Sequence, residues 1–194
     1  MFEIPTQVQI GNKQLNIRNK GDFRMVLDCF SALNDMELDR QERIICALII
    51  FYEDFNSVED VLQFSDLKTA VKEMYKFFNC GNDDGVGCKH PHNLIDWEGD
   101  AQLVASAINK VANTEIRALE YVHWWTFMGY YLAIGESPLA TIVGIRSKVA
   151  SGKKLEKYEQ EFKHDNPQYF LWDSRTIEEK EAEKAVMAIW NNGG

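Results

Sequence analysis

A mainly helical fold, bundle-like and with a small β-hairpin at its front, is what this sequence predicts, and three features carry that expectation. Apolar residues recur at three- and four-residue steps through most of the chain, the spacing that stacks side chains on one helix face. Capping residues followed by acids precede several of these stretches. Strict alternation of apolar and polar residues occurs near the start, in Val8-Gln9-Ile10 and Gln14-Leu15-Asn16-Ile17 around Gly11-Asn12-Lys13, and reads as a hairpin. With 194 residues, 45% of them hydrophobic and 12% aromatic, the chain is long and apolar enough to bury a sizeable core.

The elements follow in order. Asp22 can cap a helix over 22–34, with Phe23, Val26, Leu27 and Phe30 on one side. Asp39 with Glu42 forms a capping-box pattern ahead of a helix that is apolar nearly all round over 44–51, which marks it as central. Ser57-Val58-Glu59-Asp60 opens a short helix leading into a longer one over 66–78. Gly81, Asn82, Asp83, Asp84, Gly85, Gly87 and Pro91 make 79–95 a loop. Asp96 then caps a helix whose first turn would hold Glu98 and Asp100, where the helix dipole favours negative charge.

The most apolar helix is expected over 115–134, carrying Trp124, Trp125 and Phe127 as structural core. Ser137-Pro138 restarts the chain with Ser as N-cap and Pro at the first helical position. Gly152 stops that helix, and a charged, solvated helix is expected over 153–163. Thr176-Ile177-Glu178-Glu179 resembles a capping box for a last amphipathic helix. The domain reading is one helical domain over 1–174, with the C-terminal helix over 175–194 appended.

Charge and cysteine usage narrow the function classes. There are 21 Lys+Arg against 30 Asp+Glu, a formal net charge of −9, and no basic stripe, so nucleic acid is not an expected partner. The first residues lack the basic and apolar regions of a signal peptide, and the longest apolar run, 44–52, is too short to span a bilayer. These features predict a cytoplasmic protein with reduced cysteines and no membrane partner. No Walker loop, dinucleotide fingerprint, G-x-S-x-G or H-E-x-x-H occurs.

Five groups could carry chemistry or recognition. Cys80, Cys88, His90 and His92 offer the ligand types of a zinc site, but in a C-x7-C-x-H-x-H spacing unlike the usual tight knuckles; the alternative is an ordinary polar loop, and no cofactor is expected. Asp96, Glu98 and Asp100 could do acid–base work, or simply begin a helix. His123, between Val122 and Trp124, could act as a general base, or satisfy its nitrogens inside an aromatic core. Arg146 lies on the apolar face of Leu139 and Ile142, where it either forms an internal ion pair or contacts a partner protein. Val186, Ile189 and Trp190 form a narrow apolar stripe that either packs on the body or docks into another protein.

The ordered blocks Ile17-Arg18-Asn19-Lys20-Gly21-Asp22-Phe23-Arg24, Phe77-Phe78-Asn79-Cys80-Gly81, Asp96-Trp97-Glu98-Gly99-Asp100, Tyr121-Val122-His123-Trp124-Trp125-Thr126-Phe127 and Ile142-Val143-Gly144-Ile145-Arg146 resemble a family of siphophage proteins encoded just ahead of the tape measure gene. The resemblance covers roughly 5–150 and departs from the family pattern at Val111-Ala112-Asn113-Thr114-Glu115-Ile116. It implies a non-catalytic tail-assembly chaperone in the host cell cytoplasm. Such a protein would bind the tape measure protein, help recruit tail tube subunits, and have scope for self-association. Arg146, Val186, Ile189 and Trp190 are then the candidate partner contacts. Two other readings stay open: a zinc-stabilised regulatory or adaptor module on the 80–92 loop, and a hydrolase using Asp96, Asp100 and His123.

Overall fold

The computed structural model describes residues 3–83 and 94–171. The fold is mainly α with a two-stranded antiparallel hairpin at the front. The chain organises into two compact units, each assembled from separate stretches: Met1–Cys88 with Ala112–Ala133, and Lys89–Val111 with Ile134–Gly194.

The first unit begins with β1 (Gln7–Ile10) and β2 (Lys13–Asn16), paired Gln7↔Asn16, Val8↔Leu15, Gln9↔Gln14 and Ile10↔Lys13. Alternation puts Val8, Ile10 and Leu15 inward and the glutamines outward. Helix α1 (Phe23–Asn34) is capped by the Asp22 side chain, which accepts from Arg24 N–H. Helix α2 (Arg40–Phe51) starts with the full Asp39–Glu42 capping box and buries Ile45, Ala47, Leu48 and Phe51. Ser57 caps the short α3 (Val58–Leu62), and Asp66 caps α4 (Leu67–Phe78).

The expected helix over 115–134 is interrupted. A 3-10 turn (Ile116–Ala118) gives way to extended backbone, and the helix is confined to Trp124–Leu132. The reason is competition for backbone groups. Val122 O accepts from Phe23 N–H and Val122 N–H donates to the Asp22 carboxylate, so these groups cannot join a helical ladder. Leu119 and Tyr121, which precede that helix, are exposed. The core of this unit is aromatic instead around Trp124: Phe23 stacks on Phe127 at 4.5 Å, Phe127 on Trp124 at 5.6 Å, and Phe30 meets Phe78 and Trp124 edge-on.

The second unit contains α5 (Ala101–Ala112), α7 (Pro138–Ala150) and α8 (Lys157–Asp165), followed by a 3-10 turn (Pro167–Phe170); the helix Trp124–Leu132 of the first unit is α6. Asp96 does not cap α5. Its carboxylate accepts from Glu98 N–H and Gly99 N–H in a turn, and α5 starts at Ala101 with no acid in its first turn. Ser137 caps α7 with Pro138 in the first turn, as expected. The charged helix is shifted to Lys157–Asp165 because Gly152 turns the chain at φ +64 and Glu156 with Glu159 makes a capping box four residues later. No helix among the described residues is long and apolar enough to cross a membrane. The last expected helix, over 176–190, lies outside the described residues.

Candidate functional site

In the first unit, three separated stretches meet at His123. The turn Arg18–Gly21 after the hairpin runs through left-handed backbone at Asn19 (φ 49), Lys20 (φ 52) and Gly21 (φ 79). A Cβ on Gly21 would stand 2.7 Å from Phe77 Cζ and 3.0 Å from His123 Nε2, so both the conformation and the space there require glycine. The turn delivers Arg18 to the end of α2, where Nη2 donates to Ile49 O, Tyr52 O and Phe55 O at 2.9–3.1 Å. It also delivers Asp22, which is 6% exposed and serves several donors at once: Arg24 N–H, the Arg24 guanidinium and Val122 N–H. Arg24 then reaches across to Leu119 O and Arg117 O.

His123 caps α6: its Nδ1 accepts from Trp125 N–H at 3.1 Å. The proton of the neutral ring therefore sits on Nε2, which donates to Pro5 O at 3.0 Å. Burial pushes the His123 pKa down, against the weaker opposite pull of the Pro5 carbonyl and Asp22. Trp124 Nε1–H donates to Phe78 O at 3.0 Å and Trp125 Nε1–H to Phe77 O at 2.9 Å, satisfying the carbonyls at the end of α4.

In the second unit the centre is a buried ion pair. Arg146 is 2% exposed and Asp100 3%. Arg146 Nη1 donates to Asp100 Oδ2 at 2.5 Å and Nη2 to Oδ1 at 3.0 Å, a parallel two-bond fork. The remaining donors go to Leu94 O at 3.1 Å and, from both Nε and Nη2, to Tyr169 O. Asp100 Oδ2 also accepts from Asp96 N–H. One arginine on α7 thus ties together the chain before α5 and the turn after α8. Nearby, Lys148 reaches Glu159 at 2.7 Å; that contact raises the lysine's pKa and lowers the glutamate's.

A family model described as Bacteriophage Gp15 protein matches residues 3–171. The chain belongs to this family. This phage protein matches no curated protein and no solved structure in the corresponding comparisons. The blocks quoted for the resemblance are the ones that meet in the two joints: 17–24, 77–81 and 121–127 at His123, and 96–100 with 142–146 at Arg146.

The groups weighed for acid–base work have structural partners: both ring nitrogens of His123 bond to backbone, Asp100 pairs with Arg146, and Asp96, which is exposed, accepts from Glu98 N–H and Gly99 N–H. Of the alternatives for Arg146, the internal ion pair is the one found; as an accessible partner contact it is corrected, because its guanidinium is buried and shared among Asp100, Leu94 and Tyr169. Trp124 and Phe127 are buried, while Trp125 is half-buried. Cys80 is half-buried at φ 54; Cys88, His90 and His92, the rest of the zinc candidate, lie outside the described residues, as do Val186, Ile189 and Trp190. Sequence reading missed Arg18 and Arg24. The available signal was two arginines flanking a Asn-Lys-Gly-Asp turn, but their acceptors are 31–37 and 93–95 residues away.

Proposed function

We propose that this phage protein is a tail-assembly chaperone: it binds the tape measure protein, helps recruit tail tube subunits, and works in the host cytoplasm by binding rather than by turnover. The observation that carries the reading is the family membership over 3–171, taken with ordered blocks that resemble proteins encoded just ahead of the tape measure gene. The geometry supports it in one respect. His123 and Asp100, weighed for acid–base work, are each engaged in bonds within their own unit.

The surface is acidic overall and carries scattered apolar side chains, among them Leu62 at 55% and Leu132 at 77% exposure. A long helical protein with apolar stripes is prone to aggregate, and many weak copies of such a chaperone along it gain avidity without any new chemistry. The C-terminal stripe of Val186, Ile189 and Trp190 remains the candidate contact. The test is co-expression with the tape measure protein of the same phage. Co-purification, weakened in Trp190→Ala with an unchanged circular dichroism spectrum, is expected. A tape measure protein that is equally soluble alone and does not co-purify would refute the reading.

A further inference from the structure

Helix α6 is capped as no other described helix is. Asp22, Asp39, Ser57, Asp66 and Ser137 cap α1, α2, α3, α4 and α7 with oxygens, which remain acceptors in mild acid. The cap of α6 is the Nδ1 lone pair of His123, 3.1 Å from Trp125 N. A proton on that lone pair turns the acceptor into a donor, and two N–H groups then face each other. It also sets a positive charge at the helix end that disfavours one.

The ring is hemmed in. Its Nε2–H is anchored on Pro5 O at 3.0 Å, its Nε2 edge lies so close to Gly21 that a Cβ there would stand 3.0 Å away, and Phe77 and Trp125 flank it with ring centroids at 5.4 and 6.0 Å. The charged groups on the surrounding elements are largely committed elsewhere. Both Asp22 oxygens serve Arg24 and Val122 N–H, Arg18 is bonded to the carbonyls at the end of α2, and Lys76 on α4 pairs with Glu73. Glu3 and Lys20 are exposed, and the Tyr121 hydroxyl donates to Lys20 O. Burial holds the proton off until the pH is below the ordinary histidine value, against the weaker pull of the Pro5 carbonyl and Asp22.

Two further bonds hang from the capped turn. Trp124 and Trp125 open α6, and their indoles hold Phe78 O and Phe77 O at the end of α4. We propose that His123 is a pH-operated latch: a proton on Nδ1 uncaps α6 and opens the joint between α6 and the end of α4, while the rest of the first unit stays folded. Such local opening draws on the caps and bonds of one turn and leaves the larger core intact. The inference does not depend on the chaperone reading.

Hydrogen exchange of the nitrogen-labelled full chain, corrected at each pH for the intrinsic amide rate and read beside the ring-nitrogen shifts of His123, tests this. Protection of Trp125 N–H is expected to fall roughly tenfold relative to the amides of α2 as the ring titrates, with the indole N–H groups of Trp124 and Trp125 following. In His123→Asn, whose amide oxygen accepts at every pH, that ratio should stay flat. Should the variant not fold, agreement between the ring midpoint and the Trp125 midpoint in the wild type decides the matter alone. Protection lost equally from α1, α2 and α6, an opening whose midpoint differs from that of the ring, a folded His123→Asn that opens as the wild type does, or a ring still neutral with α6 still protected at about pH 5 would overturn the proposal.

Discussion

Asp100→Asn removes one negative charge from the second unit while keeping the side chain's shape. In the structure it leaves a guanidinium that is 2% exposed facing a neutral amide, beside the Leu94 and Tyr169 carbonyls. Removing one partner of a buried ion pair typically costs about 3–5 kcal/mol, because the remaining charge cannot regain water. That is a large share of the roughly 5–15 kcal/mol that stabilises a domain. At a urea dependence of roughly 2 kcal/mol per molar, the midpoint should fall by about 2 M. Far-UV circular dichroism in urea reads it directly. Asp100→Leu/Arg146→Met should recover much of the loss, since replacing both charges by apolar groups of similar volume is often neutral. An unchanged midpoint for Asp100→Asn would mean that the pair is not buried in solution and would return Arg146 to the surface as a partner contact.

Three further outcomes follow from the same geometry. His123 has its pKa depressed below the ordinary 6.5 by burial, so between the two values the unfolded chain binds a proton that the folded chain does not. Its contribution to stability is complete above about pH 6.5 and is lost as pH falls toward the folded value; urea midpoints at pH 7.5 and 5 should differ more for wild type than for His123→Asn, and equal differences would refute the assignment. Gly21→Ala should lower stability by about 1–2 kcal/mol for the left-handed backbone alone, with the contact to Phe77 adding to it, measured by thermal unfolding. Cys29 is fully buried with its thiol pKa pushed up by desolvation, so thiol reagents followed by peptide mapping should modify half-buried Cys46 and Cys80 in the native protein and Cys29 only in urea.

What the sequence revealed was local. Asp22, Asp39 with Glu42, Ser57, Asp66 and Ser137-Pro138 were legible as helix starts because each cap acts within four residues of itself. The misread elements fail where a distant partner captures a group that local logic assigns elsewhere. Asp22 takes Val122 N–H from 100 residues away and ends the helix expected over 115–134. Arg146 takes the Asp100 carboxylate from 46 residues away, which turns an expected helix-start acid into half of a buried pair. The candidate site was legible only as residue types. His123 and Arg146 both stood out as polar groups on apolar stretches, and in each case the internal alternative was the one realised.

The proposed covering of a long helical partner is tested by light scattering when the tape measure protein of the same phage is diluted out of denaturant alongside increasing amounts of this chain. Scattering should fall progressively, with several copies needed per partner molecule before it is suppressed, and Asp100→Asn should be ineffective only to the extent that it unfolds. Scattering that is unaffected at any ratio, with no complex on gel filtration, would contradict it.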